Sequence, residues 1–296
     1  MTEDIIGCCS EFGNAKIGWK RCKYRTSLQR IFRQVRIDSV YCPQVRWETW
    51  VKRSTQPARD PRYYGYPTTD IEALRAKAAE VTMRLTQLYG ELPFSDKDPM
   101  SMLVEILLSH RTFDAQTDAA YDHLLKHFSS WEAVRDAATA EVQATIANVN
   151  FPEVKAPRIQ AVMRQITEER GDLNLDFLRD LPLEESIQWL NRFEGVGPKT
   201  TACVLLFSCQ RAILPVDTHV HRASIRLGLI GKKVTADNAH VLLQALLPND
   251  ARTIYNFHKG LLRLGQRTCV YEYPRCKQCV LTDICDYYQT VVKPPV

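Results

Sequence analysis

Residues 190–222, LNRFEGVGPKTTACVLLFSCQRAILPVDTHVHR, decide which fold this chain is expected to adopt. Near their middle, Gly195 and Gly197 enclose one apolar residue, Val196, which predicts a tight hairpin where the backbone can approach a ligand closely. Pro198 follows in the first turn of a helix, where proline is best tolerated. The peptide N–H groups of such a turn and helix start point outward and favour an anion. The sequence therefore predicts a phosphate-binding turn ahead of a helix.

One amine and one carboxylate lie close to this turn in sequence. Lys199 is on the first turn of the predicted helix, and Asp217 stands eighteen residues later in the tetrapeptide VDTH. A lysine in this position is often an ordinary surface residue, and Asp-Thr-His-Val is also a typical helix start in which the aspartate is the N-cap. The neighbouring hairpin makes both side chains candidates for chemistry.

Four cysteines form a second motif. Cys269, Cys276, Cys279 and Cys285 have the spacing C-x6-C-x2-C-x5-C. Four thiolates suit tetrahedral zinc as well as an iron–sulfur cluster. Zinc sites usually pair two short C-x2-C segments, and this loop has one, so the spacing favours the cluster over zinc.

The two motifs together resemble the endonuclease III family of DNA glycosylases. That family has a hairpin of the form G-hydrophobic-G, a lysine two residues after the second glycine, a V-D-T-H motif, and a [4Fe-4S] loop with this cysteine spacing. Both motifs occur here in the family's order, and a looser similarity extends from about residue 71 to residue 288. The resemblance implies a DNA-repair enzyme that carries a [4Fe-4S] cluster.

The resemblance also implies an all-α, two-domain architecture, the helix-hairpin-helix glycosylase fold. A six-helix domain containing the hairpin would comprise residues 92–212. A discontinuous cluster domain would comprise residues 69–91 and 213–296. Duplex DNA would bind across the groove between the domains, with Lys199 and Asp217 facing each other.

The apolar pattern predicts helices throughout and shows no alternating strand pattern. Thr69 or Asp70 is the expected N-cap of the first helix, and Pro99 opens the second. The predicted helical segments are 71–89, the one opened by Pro99, 115–128, 131–147, 154–169, 175–180, 184–192, 199–209, 219–228, 235–245 and 250–264.

The resemblance assigns catalytic roles to Lys199 and Asp217. An amine that attacks the sugar C1′ breaks the N-glycosidic bond and leaves a Schiff base, which makes the C2′ proton acidic and permits strand cleavage by β-elimination. A carboxylate near C1′ stabilises the oxocarbenium-like transition state and assists proton transfer. A lysine in this position is what distinguishes a bifunctional glycosylase/lyase from an enzyme that activates water.

To reach C1′ the enzyme must flip the nucleotide out of the duplex and fill the gap. The positions that match the family's gap-filling residues are Arg111 and Phe151, although the family commonly has glutamine at the first. Phe151 could instead be a core aromatic. A second departure is Glu194, where the family usually has proline. The residues assigned to DNA contact are Gly195, Val196, Gly197, Lys199, Arg111, Phe151 and His219.

The net charge of +5 is unevenly distributed. Residues 1–68 contain thirteen Lys/Arg against six Asp/Glu, so the rest of the chain is nearly neutral. We expect residues 1–68 to be a basic, poorly ordered extension, or alternatively an auxiliary DNA-contacting arm. No run of apolar residues is long enough for a transmembrane helix, and the acidic start is unlike a secretory signal. These features predict an intracellular monomer, in the cytoplasm and nucleoid if the cell is bacterial, with no membrane partner.

The expected function is that of a bifunctional DNA glycosylase/AP lyase of base-excision repair. Its partner would be double-stranded DNA that contains damaged, oxidised pyrimidines or abasic sites. One alternative is a glycosylase for 5-methylcytosine, since plant enzymes of that kind share the lysine, the aspartate and the cluster but are much longer. A third hypothesis is a non-catalytic helix-hairpin-helix protein that only binds DNA.

Overall fold

A computed structural model describes residues 65–293 of the chain. Almost all of the extension predicted for residues 1–68 lies outside these residues. The described residues contain no strand, which confirms the all-α prediction. The eleven α-helices among them are α1 Ile71–Tyr89, α2 Pro99–Ser109, α3 Asp114–His127, α4 Trp131–Asp136, α5 Thr139–Thr145, α6 Pro152–Arg170, α7 Leu183–Leu190, α8 Pro198–Phe207, α9 Thr218–Leu227, α10 Ala236–Gln244 and α11 Ala251–Arg267.

Most helices begin where the sequence provides a capping side chain. Asp70 caps α1 by accepting from the Ala73 N–H at 2.9 Å, and Asp98 caps α2, whose first residue is Pro99. Thr235 and Asp250 cap α10 and α11. Such caps satisfy backbone donors that a helix start leaves unpaired. The expected starts at Asp70 and Pro99 are therefore confirmed.

Two helical segments differ from the prediction. Residues 131–147 form two short helices, α4 and α5, because Ala137 adopts an extended backbone (ψ 160°). The buried Gln160 amide donates to the Val134 and Ala137 carbonyls at 2.9 and 2.8 Å, which satisfies groups that a continuous helix would have paired. The segment 175–180 is a single 3₁₀ turn, Asp176–Arg179.

The helices pack in two sets. In the first, α2 contacts α3, α6 and α8, while α4 and α5 lie against α6, and α7 against α8. In the second, α11 lies between α1 and α9, and α10 packs on α9. Contacts between α8 and α11 join the sets. The domain boundaries at 92–212 and at 69–91 plus 213–296 stay a prediction. No described helix combines the length and the apolarity that a bilayer crossing requires.

Two glycines of α11 permit close helix approach. A Cβ on Gly260 would lie 2.9 Å from the Leu85 Cβ on α1, and a Cβ on Gly265 would lie 2.6 Å from the His219 Cβ on α9. Side chains cannot pack at such distances without movement of a helix. The spacing of the second helix set therefore depends on both glycines.

We expect Gly260→Ala to lower the free energy of unfolding by roughly 1–2 kcal/mol, because overpacking at Leu85 outweighs the higher helix propensity of alanine. Urea denaturation measures the change. Asn256→Ala on the same helix is the control and should have a much smaller effect. A Gly260→Ala protein that is as stable as the unaltered chain would contradict this account of the α1–α11 contact.

Candidate active site at the glycine hairpin

The glycine hairpin lies between α7 and α8 and is open on one face. Gly195 has φ +82°, the left-handed conformation that favours glycine. Gly197, the N-cap of α8, has an extended backbone, and a Cβ added there would meet no atom within 4 Å. The buried Val196 anchors the turn through its N–H, which donates to the Phe193 carbonyl at 3.0 Å. Space for a ligand therefore remains against the first turn of α8, whose N-terminus has no side-chain cap.

Glu194 does not leave an uncompensated charge beside this turn. Its carboxylate lies 3.2 Å from the Arg158 guanidinium. The Glu194 side chain is 83% exposed, so the pair adds little stability. The Arg158 side chain also covers Gly195, where any Cβ would collide with it. The departure from the family pattern at Glu194 is thus accompanied by a neighbouring cation.

Lys199 is half-buried on the first turn of α8, and its amine makes no hydrogen bond or ion pair with any residue that the structure describes. Its charge acts on the same groups as that of Asp217. Burial is the main cause of the raised pKa of Cys203 and of the lowered pKa of His258, and at both groups the Lys199 charge lowers the pKa while the Asp217 charge raises it. Both candidate catalytic side chains therefore act electrostatically on the same two buried groups, Cys203 on α8 and His258 on α11.

Asp217 is the N-cap of α9, as the sequence suggested. One carboxylate oxygen, Oδ1, accepts from the His219 and Val220 N–H groups at 2.8 and 2.7 Å. The other oxygen, Oδ2, has no hydrogen-bond partner among the described residues. Capping and chemistry are therefore compatible, because the cap fixes one oxygen and leaves the second available.

His219 packs against α11 at Gly265, and its Nδ1 lies 3.2 Å from the Arg222 guanidinium. Arg222 also donates to the Gly265 and Cys269 carbonyls. These contacts leave only the Nε2 edge of His219 for a ligand. The assignment of His219 to DNA contact stays a prediction.

His110 is a site residue that the sequence analysis missed. It follows α2, and its Nε2 lies 3.0 Å from the Oγ1 of Thr200, the residue after Lys199. Burial, with smaller contributions from Lys199, Lys155 and Arg158, lowers the pKa of His110 to about 4. The imidazole is therefore neutral at pH 7. Its position in the segment after α2 was visible in the sequence, but its contact with the hairpin helix was not.

Arg111 and Phe151 lie on adjacent loops, and both have left-handed backbones, with φ 52° and 60°. The Asn150 side chain donates to the Arg111 carbonyl, and the Asn150 N–H donates to Thr112 Oγ1 at 3.2 Å. Phe151 is 50% exposed, so it is not the core aromatic that the sequence also allowed. The two residues expected to fill the gap in DNA are brought together, and their role stays a prediction.

The four cysteines line one cavity, which has about 380 Å³ of free space, open solvent included. Burial raises the pKa of the Cys279 thiol to about 11, and the neighbouring thiols add to the shift. No three histidine, cysteine or carboxylate side chains in the described part of the chain are grouped closely enough to hold a single metal ion. The structure therefore brings the four candidate ligands to one cavity.

Two arginines of α9 bind the loop that carries the cysteines. Arg226 donates to the Val270 carbonyl at 2.7 Å and lies 3.4 Å from the Cys269 sulfur. Cys285 Sγ lies 3.3 Å from the Arg226 carbonyl. Arg222 reaches the Cys269 carbonyl at 3.1 Å. The helix that begins at Asp217 therefore also positions the cysteine loop, a connection that no sequence motif indicated.

Acid should destabilise the protein through His110. The pKa of His110 in the folded protein lies below the usual value of about 6.5. Its contribution to stability is therefore fully present above pH 6.5 and is lost as the pH falls toward 4. After allowance for partial exposure, we expect His110 to account for about 1 kcal/mol of the loss between pH 7 and pH 5. Urea denaturation of His110→Gln should show a shallower pH dependence. The exposed His123→Gln is the control, and identical pH dependence in both variants would contradict the assignment.

Three comparisons relate the chain to known proteins. Residues 104–249 match the HhH-GPD superfamily of base excision DNA repair proteins. Endonuclease III of Thermotoga maritima is 30% identical over 212 residues, which cover 72% of this chain and 92% of that protein. The candidate DNA glycosylase At3g47830 of Arabidopsis thaliana is 35% identical over 150 residues, 51% of each chain. The DNA glycosylase/AP lyase ROS1 of Arabidopsis thaliana is 27% identical over 173 residues, 53% of this chain but 12% of ROS1.

Solved structures with the same fold include a non-covalent complex of endonuclease III with DNA. It has a TM-score of 0.64 at 19% identity and covers 74% of this chain and 99% of that one. A thermostable thymine-DNA glycosylase has a TM-score of 0.62 at 18% identity, covering 73% and 97%. The chain spans about half the length of At3g47830 and a small part of ROS1, but nearly all of the Thermotoga protein. It therefore belongs to the HhH-GPD superfamily of base excision DNA repair proteins, among the relatives of endonuclease III.

Proposed function

We propose that the protein is a bifunctional DNA glycosylase/AP lyase that excises oxidised pyrimidines from duplex DNA. The observation that carries this proposal is the free amine of Lys199. It lies on the first turn of α8, beside an open glycine hairpin, and its charge acts on the same buried groups, Cys203 and His258, as that of Asp217. A nucleophilic amine, a carboxylate and a phosphate-binding turn are the groups that lysine-dependent cleavage of a glycosidic bond requires.

In the proposed reaction the neutral Lys199 amine attacks C1′, and the C1′–N bond to the base breaks. The departing base takes up a proton as it leaves. The lysine nitrogen gives up one proton, and its lone pair then opens the sugar ring, whose O4′ takes up a proton, to leave a protonated Schiff base. Loss of the C2′ proton then expels the 3′ phosphate, which cleaves the strand. The free oxygen of Asp217 stabilises the positive charge that develops at C1′ and assists these proton transfers.

The backbone of the hairpin would bind a DNA phosphate. Gly195 and Gly197 allow the sugar–phosphate chain to approach the N–H groups at the start of α8, and the helix dipole favours the negative charge there. Arg158 offsets the carboxylate of Glu194 at the same turn. These features support duplex DNA as the partner.

Lys155 and Lys259 are the competing amines of the described chain, because burial lowers the pKa of each. The amine of Lys155, whose pKa is about 8, is occupied, because it donates to the Leu108 carbonyl at 2.6 Å and to Thr112 Oγ1 at 2.7 Å. The Lys259 amine lies over the Phe207 ring, 4.5 Å from its centroid. Neither lysine is on the hairpin helix, which favours Lys199 as the nucleophile.

Cys269, Cys276, Cys279 and Cys285 would hold a [4Fe-4S] cluster. Four thiols that line one cavity and contain only one C-x2-C segment suit a group of several irons better than a zinc site with two such segments. When bound, the cluster would cross-link the loop. The exposed residues Arg267, Arg275 and Lys277 of this segment would then be held as a basic surface for DNA phosphates.

5-Methylcytosine is the second candidate substrate. The plant proteins ROS1 and DEMETER match 53% of this chain at 27% and 26% identity. The match to endonuclease III extends further, over 72% of this chain and 92% of that protein, and favours damaged pyrimidines. The third hypothesis, a DNA-binding protein without catalysis, predicts no covalent intermediate and is separated from the others by the trapping experiment below.

Incubation with duplexes that contain thymine glycol, 5-methylcytosine or an abasic site, followed by borohydride reduction, tests the proposal. We expect a covalent protein–DNA adduct on thymine glycol and on the abasic site. An adduct on 5-methylcytosine and on the abasic site but not on thymine glycol would establish the second candidate, and one on the abasic site alone would leave a lyase of other base specificity. Binding of the duplexes without any adduct would establish the non-catalytic hypothesis.

Lys199→Gln should reduce the trapped adduct by at least about a hundredfold while DNA binding persists. Lys259→Gln is the matched control and should still be trapped. Asp217→Asn keeps the helix cap, so the variant should fold normally but react roughly a hundredfold or more slowly. Trapping that survives Lys199→Gln and is lost in Lys259→Gln would reassign the nucleophile.

Metal analysis tests the cofactor. We expect the purified protein to contain iron and inorganic sulfide in equal amounts, and Cys276→Ser to lower both because it removes one thiolate ligand. Cys209→Ser, which alters a buried cysteine outside the cavity, is the control and should leave the iron content unchanged. A protein that contains zinc in place of iron would contradict the assignment.

A further inference from the structure

Two neighbouring helices begin with an exposed phenylalanine in place of a capping residue. Phe113 is the N-cap of α3 and Phe151 is the N-cap of α6, and neither helix start has a side-chain cap hydrogen bond. Phe113 is 79% exposed and Phe151 is 50% exposed. Serine, threonine, aspartate and asparagine are preferred at this position because they satisfy free backbone donors. Neither aromatic ring therefore caps its helix, and both Phe113 and Phe151 are exposed to solvent, Phe113 more than Phe151.

The loops that carry the two rings are held together by hydrogen bonds. The Asn150 N–H donates to Thr112 Oγ1 at 3.2 Å, and the Asn150 side chain donates to the Arg111 carbonyl. The Lys155 amine donates to the same Thr112 hydroxyl at 2.7 Å and to the Leu108 carbonyl at 2.6 Å. The residues that directly precede Phe113 and Phe151 are thus in contact, which places the rings on one edge of the protein.

A second set of hydrogen bonds joins the same two segments of the chain. The side-chain amides of Gln116 and Asn148 each donate to the other's backbone carbonyl at 2.9 Å. His110 then connects the edge to the hairpin helix through Thr200. The two rings therefore lie on a rigid support that continues to the residue next to Lys199.

We propose that Phe113 is a second base-stacking residue, which together with Phe151 forms a two-aromatic wedge that enters duplex DNA and holds open the gap left by the flipped nucleotide. This inference rests on the proposed function, because it takes duplex DNA as the partner. An exposed aromatic ring can stack on any base, since every base has a π-face, and aromatic or apolar side chains inserted between base steps hold DNA in an unstacked state. The exposed Arg111, which lies on the same loop as Phe113, adds a cation at the same edge.

The test uses the full chain and a duplex in which a stable abasic analogue lies opposite 2-aminopurine, whose fluorescence reports stacking. We expect Phe113→Ala to weaken binding roughly tenfold and to abolish most of the fluorescence change that the unaltered protein causes. Phe113→Tyr, which keeps a ring, should restore both. Leu125→Ala is the matched control, because Leu125 is 52% exposed on the same helix but at its far end.

Equal affinity and equal fluorescence for Phe113→Ala and the unaltered protein would overturn the inference alone, as would a loss that Leu125→Ala shares. The reaction at Lys199 is a separate readout. Normal borohydride trapping of the unaltered protein combined with no effect of Phe113→Ala would leave the proposed function intact. If the unaltered protein bound neither this duplex nor a damaged one, the proposed function and the inference would fail together.

Discussion

The N-cap of α9 is the interaction on which the candidate site depends. One Asp217 oxygen accepts from two backbone N–H groups, and this fixes the orientation of the other oxygen. The same helix carries Arg222 and Arg226, which bind the backbone of the cysteine loop near Cys269. The candidate catalytic carboxylate and the candidate cluster site are therefore the two ends of one rigid helix. An ordered cysteine loop then stabilises the position of the Asp217 carboxylate through α9, without contacting a substrate.

The close approach of α9 to α11 restricts movement of α9, which carries the Asp217 cap and the two arginines. The His219 backbone and Cβ lie so near Gly265 that a methyl group would not fit between them, and α1 is equally close at Gly260. Helices packed at this distance respond to a change by shifting as bodies, since there is no free space to absorb it. A displacement at α11 would therefore move Asp217 as well, which explains why a helix without a proposed catalytic residue matters to the site.

Features that depend on local sequence were predictable, and features that depend on distant contacts were not. The hairpin turn, the Asp70 cap and the Pro99 start follow from residues a few positions apart. The break between α4 and α5 depends on Gln160, which reaches back more than twenty residues to the Ala137 carbonyl. The contact of Arg226 with the cysteine loop likewise spans more than forty residues. No periodicity or spacing rule contains such pairings, so the sequence indicated the site residues but not the framework that holds them.

Several departures from local rules coincide at one edge of the molecule, although Ala138 and Pro182 also begin helices without a side-chain cap and Gln210 and Tyr273 also have left-handed backbones. The described helices that begin with aspartate, threonine or serine follow the usual capping preference, whereas α3 and α6 begin with Phe113 and Phe151. Arg111 and Phe151 also have left-handed backbones, which cost free energy in residues other than glycine. Hydrogen bonds from Asn150 and Lys155 compensate for this cost. Natural sequences break local rules mainly where function requires it. The coincidence of these departures beside the hairpin helix therefore supports the proposal that this edge meets a ligand.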